Sequence, residues 1–175
     1  MHPILASLFL SAAAAAAGGP SGPCALVPKD AVARIQKAPV VSEKESDSGG
    51  RSVENRSCYF QAEPFSKSVS LEWTRDREPG AARRQWDSMF HGKSAESGRE
   101  KEENEERRAA PRRVEGLGEE AYWVSSRAGG AIYAWGSGAF VRVSVGGEGT
   151  DEEKRGRASA IAREALASLA AGRSQ

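Results

Sequence analysis

Three short runs of residues rich in apolar and aromatic side chains follow one another between residues 121 and 145, separated only by glycine-containing turns. These runs predict strands near 121–126, 131–135 and 139–145, with turns at Gly129-Gly130 and Gly136-Ser137. Strands joined by turns this short pair antiparallel, because a parallel pair needs a crossover of about a dozen residues or more. The segment therefore favours an antiparallel sheet over strand–helix–strand alternation.

The last hairpin predicts which side chains share a face of that sheet. A two-residue type II′ turn at Gly136-Ser137 places Tyr133 opposite Phe140 and Ile132 opposite Val141. One face then carries the aliphatic residues Ile132, Ala134, Val141, Val143 and Val145. The other face carries Tyr133, Trp135, Phe140 and Arg142. Because helices need the aliphatic face, we predict the four residues of the aromatic face as a binding surface. The alternative is that the polar segment 42–52 or the charged segment 94–113 buries it.

The rest of the chain predicts three helices and two further strands. The helices are expected near 28–38, over 79–91, and from the capping box of Thr150 and Glu153 to the residues before Gly172. Strands are expected at 55–61 and 68–74, whereas 42–52 is polar and rich in turn residues. The predicted fold class is α+β, an antiparallel sheet of about five strands with three helices packed mainly on one face.

The amino terminus has the pattern of an export signal. The first charged side chain after the start is Lys29, and residues 4–17 are apolar or small. This stretch falls short of the roughly 20 residues that span a bilayer, so we predict a signal peptide over 1–17 and a single exported domain over 18–175, without a transmembrane segment. A lipid anchor on Cys24 is not expected, because Ser21, Gly22 and Pro23 do not form a lipobox.

The chain contains two cysteines, Cys24 and Cys58. An even count in an exported protein predicts one disulfide bond, and two buried free thiols are the alternative. A redox or zinc site is not predicted, because there is no Cys-x-x-Cys motif and His91 is the single histidine after the leader. We predict no cofactor.

Charge is balanced both over the whole chain and within its most charged segment. The chain has 25 basic and 24 acidic residues, a formal charge of +1, which predicts no nucleic-acid partner. Within 94–113, six acidic and six basic side chains cancel, and no apolar stripe accompanies them. We predict a flexible charged insertion there, with a partner contact as the alternative.

A search for catalytic patterns finds little. No Gly-x-Ser-x-Gly motif is present, and His91 ends a predicted helix. The glycine-rich turn at 146–149 is followed by acidic residues that would repel a phosphate. Glu119 and Glu120 are adjacent in sequence, and adjacent residues on a strand would point to opposite faces, so they are poorly placed to flank one bond. An enzyme with a carboxylate-based site around Glu119, Tyr122 and the turn at 146–153 is the alternative to a binding protein.

Three short motifs carry a resemblance to a known group. They are Cys24-Ala25-Leu26-Val27 before a helix, Cys58-Tyr59 on a strand, and the run from Gly116 to Tyr122, Gly-Leu-Gly-Glu-Glu-Ala-Tyr. They resemble uncharacterised bacterial exported proteins and lipoproteins that have a Cys-x-Leu-Leu start, a Cys-Tyr strand and a Gly-Leu-Gly-Asp-Glu-Ala signature, with Glu119 here in place of the Asp. The resemblance implies an extracytoplasmic α+β domain of the PsbP and Mog1 kind with a Cys24–Cys58 bridge, and it implies no reaction.

The functional expectation is a non-catalytic binding or accessory module of the bacterial envelope. Its location is expected to be periplasmic or secreted, and its partner an unknown protein or small ligand. Tyr133, Trp135, Phe140 and Arg142 are the predicted binding residues.

Overall fold

A computed structural model describes residues 22–92, 110–126 and 129–173 of the chain. The predicted signal peptide over 1–17, and residues 94–109 of the predicted insertion, lie outside these ranges. The elements in chain order are a 3-10 turn (Pro23–Leu26), α1 (Lys29–Gln36), β1 (Val40–Asp47), β2 (Val53–Ala62), a second 3-10 turn (Phe65–Lys67), β3 (Val69–Asp76), α2 (Ala81–Phe90), β4 (Arg112–Arg113), β5 (Glu120–Ser126), β6 (Gly129–Gly136), β7 (Ala139–Val145) and α3 (Asp151–Arg173).

The strands form one antiparallel sheet in the order β1-β2-β3-β7-β6-β5-β4. The α+β class and the antiparallel pairing are confirmed, but the predicted count of about five strands is wrong, because the described chain has seven. Strand β1 was predicted as a polar turn-rich segment. It lies at the edge of the sheet with nearly all its side chains exposed, so no apolar alternation marks it. Strand β4 has only two residues and belonged to the predicted insertion.

The helices lie on both faces of the sheet. Helix α3 packs across β6 and β7, and α1 packs against α3 and against β1 and β2. On this first face, α3 contributes Ile161, Ala162 and Ala165 to the main core, all with no exposed surface. The prediction of helices mainly on one face describes α1 and α3, whereas α2 covers the opposite face at β3 and β7. In the described part of the chain, no helix combines the length and apolarity needed to cross a membrane.

The hairpin between β6 and β7 sorts its side chains as predicted but turns one residue later. Its two turn residues are Ser137 and Gly138, both with positive φ, which is the type I′ geometry rather than type II′. Trp135 therefore pairs with Phe140, and Tyr133 with Arg142. Each residue of β6 therefore pairs two positions further along β7 than predicted. Successive side chains of a strand point to alternate faces, so a shift by two positions leaves every side chain on its predicted face.

The predicted disulfide bond between Cys24 and Cys58 is present, with the two Cα atoms 5.0 Å apart. Cys58 lies on β2 and is fully buried, and Cys24 lies in the first 3-10 turn. Leu26 and Val27 follow Cys24 into the main core with no exposed surface. The bridge therefore fixes the beginning of the described chain against the sheet.

Candidate functional site

The second face of the sheet, which carries α2, is built from rows of side chains that run across the strands. Directly paired residues of neighbouring antiparallel strands point to the same side, so a chain of pairs forms a row. Three such rows lie side by side on this face, the first beneath helix α2 and the third farthest from it. We call them the covered row, the middle row and the open row.

The covered row lies beneath helix α2. Its members, taken from β2 to β5, are Asn55, Thr74, Phe140, Trp135 and Glu120. The indole of Trp86 on α2 packs 5.9 Å from the ring of Trp135 and 5.6 Å from that of Phe140, measured between centroids. Trp135 and Phe140 keep only 6% and 4% of their surface exposed.

The expectation that the whole aromatic face is exposed is therefore wrong at Trp135 and Phe140. Helix α2 covers them through Trp86, rather than the segment 42–52, and residues 94–109 of the charged segment lie outside the described residues. The carboxylate of Asp76 holds the start of α2 by accepting hydrogen bonds from the backbone N–H groups of Gly80 and Ala82, at 2.7 and 2.6 Å. These bonds replace helix-end partners that the first turn otherwise lacks.

Glu120 joins α2 to the sheet at the end of the covered row. Its carboxylate accepts hydrogen bonds from the Tyr122 hydroxyl at 2.7 Å and the Trp86 indole at 2.9 Å, and it contacts Nε2 of His91 at 2.8 Å. Burial by itself would raise the pKa of Glu120, but the three donors and the charge of His91 outweigh it and hold this pKa below its ordinary value. Burial and the neighbouring Glu120 carboxylate both raise the pKa of Tyr122.

The middle row carries the other two residues of the predicted face. Its members are Ser57, Glu72, Arg142, Tyr133 and Tyr122. The Arg142 guanidinium donates to the Glu72 carboxylate at 2.5 Å and to the Tyr133 hydroxyl at 3.0 Å. Burial by itself would lower the pKa of Arg142, but Glu72 and Tyr133 raise it. Tyr133 and Arg142 are both partly exposed, so the structure brings together the accessible half of the predicted face.

The open row has the smallest side chains at its centre. Its members are Tyr59, Ser70, Ser144, Ala131 and Val124. A depression of about 600 Å³ follows this row across five strands, and we call it the open groove. Tyr133 and Arg142 of the middle row line one side of it, and Phe65 and Ser66 of the second 3-10 turn line the other.

Two aromatic side chains at one end of the open groove are exposed. Phe65 shows 67% of its surface and Tyr59 shows 36%, and their ring centroids lie 6.3 Å apart. Exposed rings beside a concave surface are characteristic of interaction sites rather than of a folded core. The open groove is therefore the candidate binding site in the described part of the chain.

A second depression of about 630 Å³ lies between α1, the second 3-10 turn and the turn before α3. Its cationic side chains are Lys37, Lys67 and Arg157, and two of them donate hydrogen bonds within the protein. The ammonium of Lys67 donates to the carbonyl of Lys37, and Arg157 donates to the carbonyl of Glu148. These contacts connect elements of the fold, so we assign this depression a structural role.

The residues of the alternative enzyme site have separate structural partners. Glu119 accepts a hydrogen bond from the backbone of Ser137, whereas Tyr122 donates to Glu120. In the turn at 146–153, Glu153 accepts from the backbone N–H of Thr150 at 2.7 Å, and the Thr150 hydroxyl accepts from the N–H of Glu153 at 3.2 Å. This confirms the predicted capping box.

Comparisons with protein-family models, curated proteins and solved structures find no match to this chain. The likeness to the PsbP and Mog1 group is therefore not supported, and the fold stands as α+β with a seven-stranded antiparallel sheet. Within residues 22–92, 110–126 and 129–173, no group of three His, Cys, Asp or Glu side chains is placed to hold a metal ion.

Sequence reasoning missed two lining residues of the candidate site, Tyr59 and Phe65, and it also missed Glu72, which pairs with the lining residue Arg142. Tyr59 and Glu72 stand on predicted strands, and their alternation with buried neighbours could have assigned them to the second face. Their alignment with Arg142 depends on the pairing of β3 with β7, which are separated by 62 residues, from Asp76 to Ala139. Phe65 lies in a three-residue 3-10 turn, which is too short to be predicted from a periodic pattern of apolar residues.

Proposed function

We propose that this chain is an exported, non-catalytic binding module and that the open groove is its binding surface. The observation that carries the proposal is the combination of a concave surface of about 600 Å³ with the exposed rings of Tyr59 and Phe65 along it. Buried apolar area drives most association, and exposed aromatic side chains in a depression supply such area with little loss of side-chain entropy.

Two features support the exported location. The apolar leader over 1–17 is typical of a signal peptide, and the disulfide bond between Cys24 and Cys58 is typical of an oxidising compartment. The envelope is therefore the proposed source of the ligand. The proposed partner is a small molecule or glycan of that compartment rather than a nucleic acid.

The carboxylate-based enzyme is the weaker candidate. A general acid or base needs a proton-transfer position that faces a substrate. Both carboxylate oxygens of Glu120 instead accept donors from α2 and β5, and Glu119 binds the backbone of the hairpin turn. These contacts favour a structural role for both carboxylates.

The proposal is tested by recording amide NMR spectra of the disulfide-bonded protein with fractionated extracts of bacterial envelope. We expect one fraction to shift the resonances of residues along the open row, such as Ser70, Ala131 and Ser144. Residues of the second depression, such as Lys37 and Gly147, serve as the internal control. Shifts at the second depression alone, or none with any fraction, would refute the proposal.

A pair of variants links any such shift to the groove. Phe65→Ala removes an exposed ring from the groove, whereas Val41→Ala removes apolar surface from a residue that is 54% exposed and does not line the groove. We expect the first variant to weaken the response and the second to leave it unchanged. Equal responses from the two variants would place the binding elsewhere.

A further inference from the structure

The open groove offers hydrogen-bond donors and acceptors side by side, and the charge of its lining residue Arg142 is balanced by Glu72 beside the groove. Arg142 is paired with Glu72, so the positive and negative charges cancel within the middle row. The hydroxyl groups of Ser70 and Ser144 lie in the adjoining open row, and each hydroxyl can both donate and accept. A ligand that matches this surface must itself carry donors and acceptors in close alternation.

The charge balance weighs against an anionic ligand. Phosphate and nucleic-acid sites present unpaired arginine or lysine side chains, because affinity depends on neutralising the negative oxygens. Here Glu72 would lie beside any anion that approached Arg142. The groove therefore fits a neutral molecule better than a phosphate or a carboxylate.

The polar groups within the lining also argue against a purely apolar ligand. The serine side chains and the Arg142 guanidinium would lose water under a hydrocarbon chain and gain no hydrogen bond in return. Leaving such groups unsatisfied costs about 1–3 kcal/mol each. A lipid tail is accordingly disfavoured on this surface.

The position of the groove weighs against an extended peptide held as an added strand. Strand addition uses the unpaired backbone groups of a sheet edge. The strands that form the groove floor, β3, β7 and β6, are interior strands with a neighbour on each side. A ligand in the groove must therefore be recognised by side chains.

We propose that the open groove binds a neutral saccharide, an inference that rests on the proposed binding function. One face of a sugar ring presents C–H groups that pack on aromatic rings such as those of Tyr59 and Phe65. Its hydroxyl groups both donate and accept, which matches Arg142, the Tyr133 hydroxyl and the serine hydroxyls of the lining. A volume of about 600 Å³ lies within the range of ligand pockets and accommodates a short oligosaccharide.

The test is a titration of the disulfide-bonded protein with cellotriose, maltotriose and N-acetylchitotriose, followed by amide NMR. We expect at least one of them to shift residues of the open row. Phe65→Ala should weaken that binding by about tenfold or more, because it removes a stacking ring. Val41→Ala should retain the affinity of the unchanged protein. A trigalacturonate, which has similar rings but negative charge, should bind more weakly than the neutral sugars.

The outcomes separate this inference from the proposed function. If an envelope fraction shifts the open row but none of the three neutral sugars does, the saccharide assignment is wrong and the binding function stands. Tighter binding of trigalacturonate than of every neutral sugar would also overturn the assignment. If neither the fractions nor the sugars act on the groove, both proposals fail.

Discussion

The carboxylate of Glu120 shows how one polar residue holds two parts of this fold together. It accepts hydrogen bonds from Trp86 on α2 and from Tyr122 on β5, and it pairs with His91 at the end of α2. Its side chain is only 12% exposed. A buried acceptor with several donors stabilises the native state, and its removal leaves those donors unsatisfied.

Glu120→Gln should lower the free energy of unfolding at neutral pH by about 1–3 kcal/mol, because an amide cannot accept from all three donors. Urea unfolding monitored by tryptophan fluorescence measures the change. Glu119→Gln is the matched control, since Glu119 is exposed and accepts one hydrogen bond. We expect the control to change stability by about 0.5 kcal/mol or less. Equal losses in both variants would contradict the role assigned to Glu120.

The same residue predicts a pH dependence. Because the pKa of Glu120 is lower in the folded protein than in the unfolded chain, its contribution to stability is complete above the unfolded pKa of about 4.3. The contribution is lost as the pH falls from there through the lower folded pKa. Unfolding free energies measured from pH 7 down to pH 3 should therefore decline less steeply for Glu120→Gln than for the unchanged protein. Parallel curves would refute the assignment.

Trp135 and Phe65 differ in burial, and this difference predicts stability losses of very different size. Trp135→Ala removes a ring that is 6% exposed beneath Trp86 and should cost about 3–5 kcal/mol. Phe65→Ala removes a ring that is 67% exposed and should cost about 0.5 kcal/mol or less. Thermal unfolding by circular dichroism distinguishes them. A similar melting temperature for both variants would show that Trp135 is not part of the core.

Among the elements, α3 and the hairpin of β6 and β7 were the most predictable. The start of α3 was predicted because the side chains of Thr150 and Glu153 and the local backbone determine it without help from distant residues. The two faces of the hairpin were predicted because moving the turn by one residue shifts the pairing by two positions, which leaves each side chain on the same face. Helix α2 was predicted as a helix, but its place on the second face depends on Trp86 meeting Trp135 and Phe140, which are distant in sequence.

Two glycine substitutions should act in opposite directions. Gly156 lies within α3 with open space around it, so Gly156→Ala should stabilise the protein by about 0.5–1 kcal/mol. Gly130 lies on β6, and a Cβ atom there would come within 2.1 Å of the Trp123 indole. Gly130→Ala should destabilise by about 1–3 kcal/mol because the buried ring must shift. Urea unfolding of both variants checks the two signs, and loss of stability in Gly156→Ala would contradict the first.

For the molecule as a whole, the fold class and the disulfide bond followed from local patterns and from the count of cysteines. The candidate site did not, because each strand contributes one side chain to the open row. Tyr59, Ser70 and Ser144 become neighbours only when β2, β3 and β7 pair. Short sequence motifs cannot predict a site whose residues become neighbours only through strand pairing. The predicted face was therefore correct in its orientation but included two residues that α2 covers.

Cys24→Ser combined with Cys58→Ser should lower the free energy of unfolding by about 3–4 kcal/mol. The bridge closes a loop with a sequence separation of 34, and its removal gives the unfolded chain more conformational entropy. Equilibrium unfolding under non-reducing conditions measures the loss. Reduction of the unchanged protein with a thiol reagent should produce a similar decrease, and no decrease in either case would contradict a stabilising role.

Alternate side chains of one strand line the main core and the open groove. Along β7, Val141, Val143 and Val145 point into the main core, while Arg142 and Ser144 between them line the open groove. A substitution at Arg142 or Ser144 is therefore expected to leave the packing of α3 unchanged. Natural variation at such positions can change the polar surface of the groove, one strand at a time, without disturbing the main core.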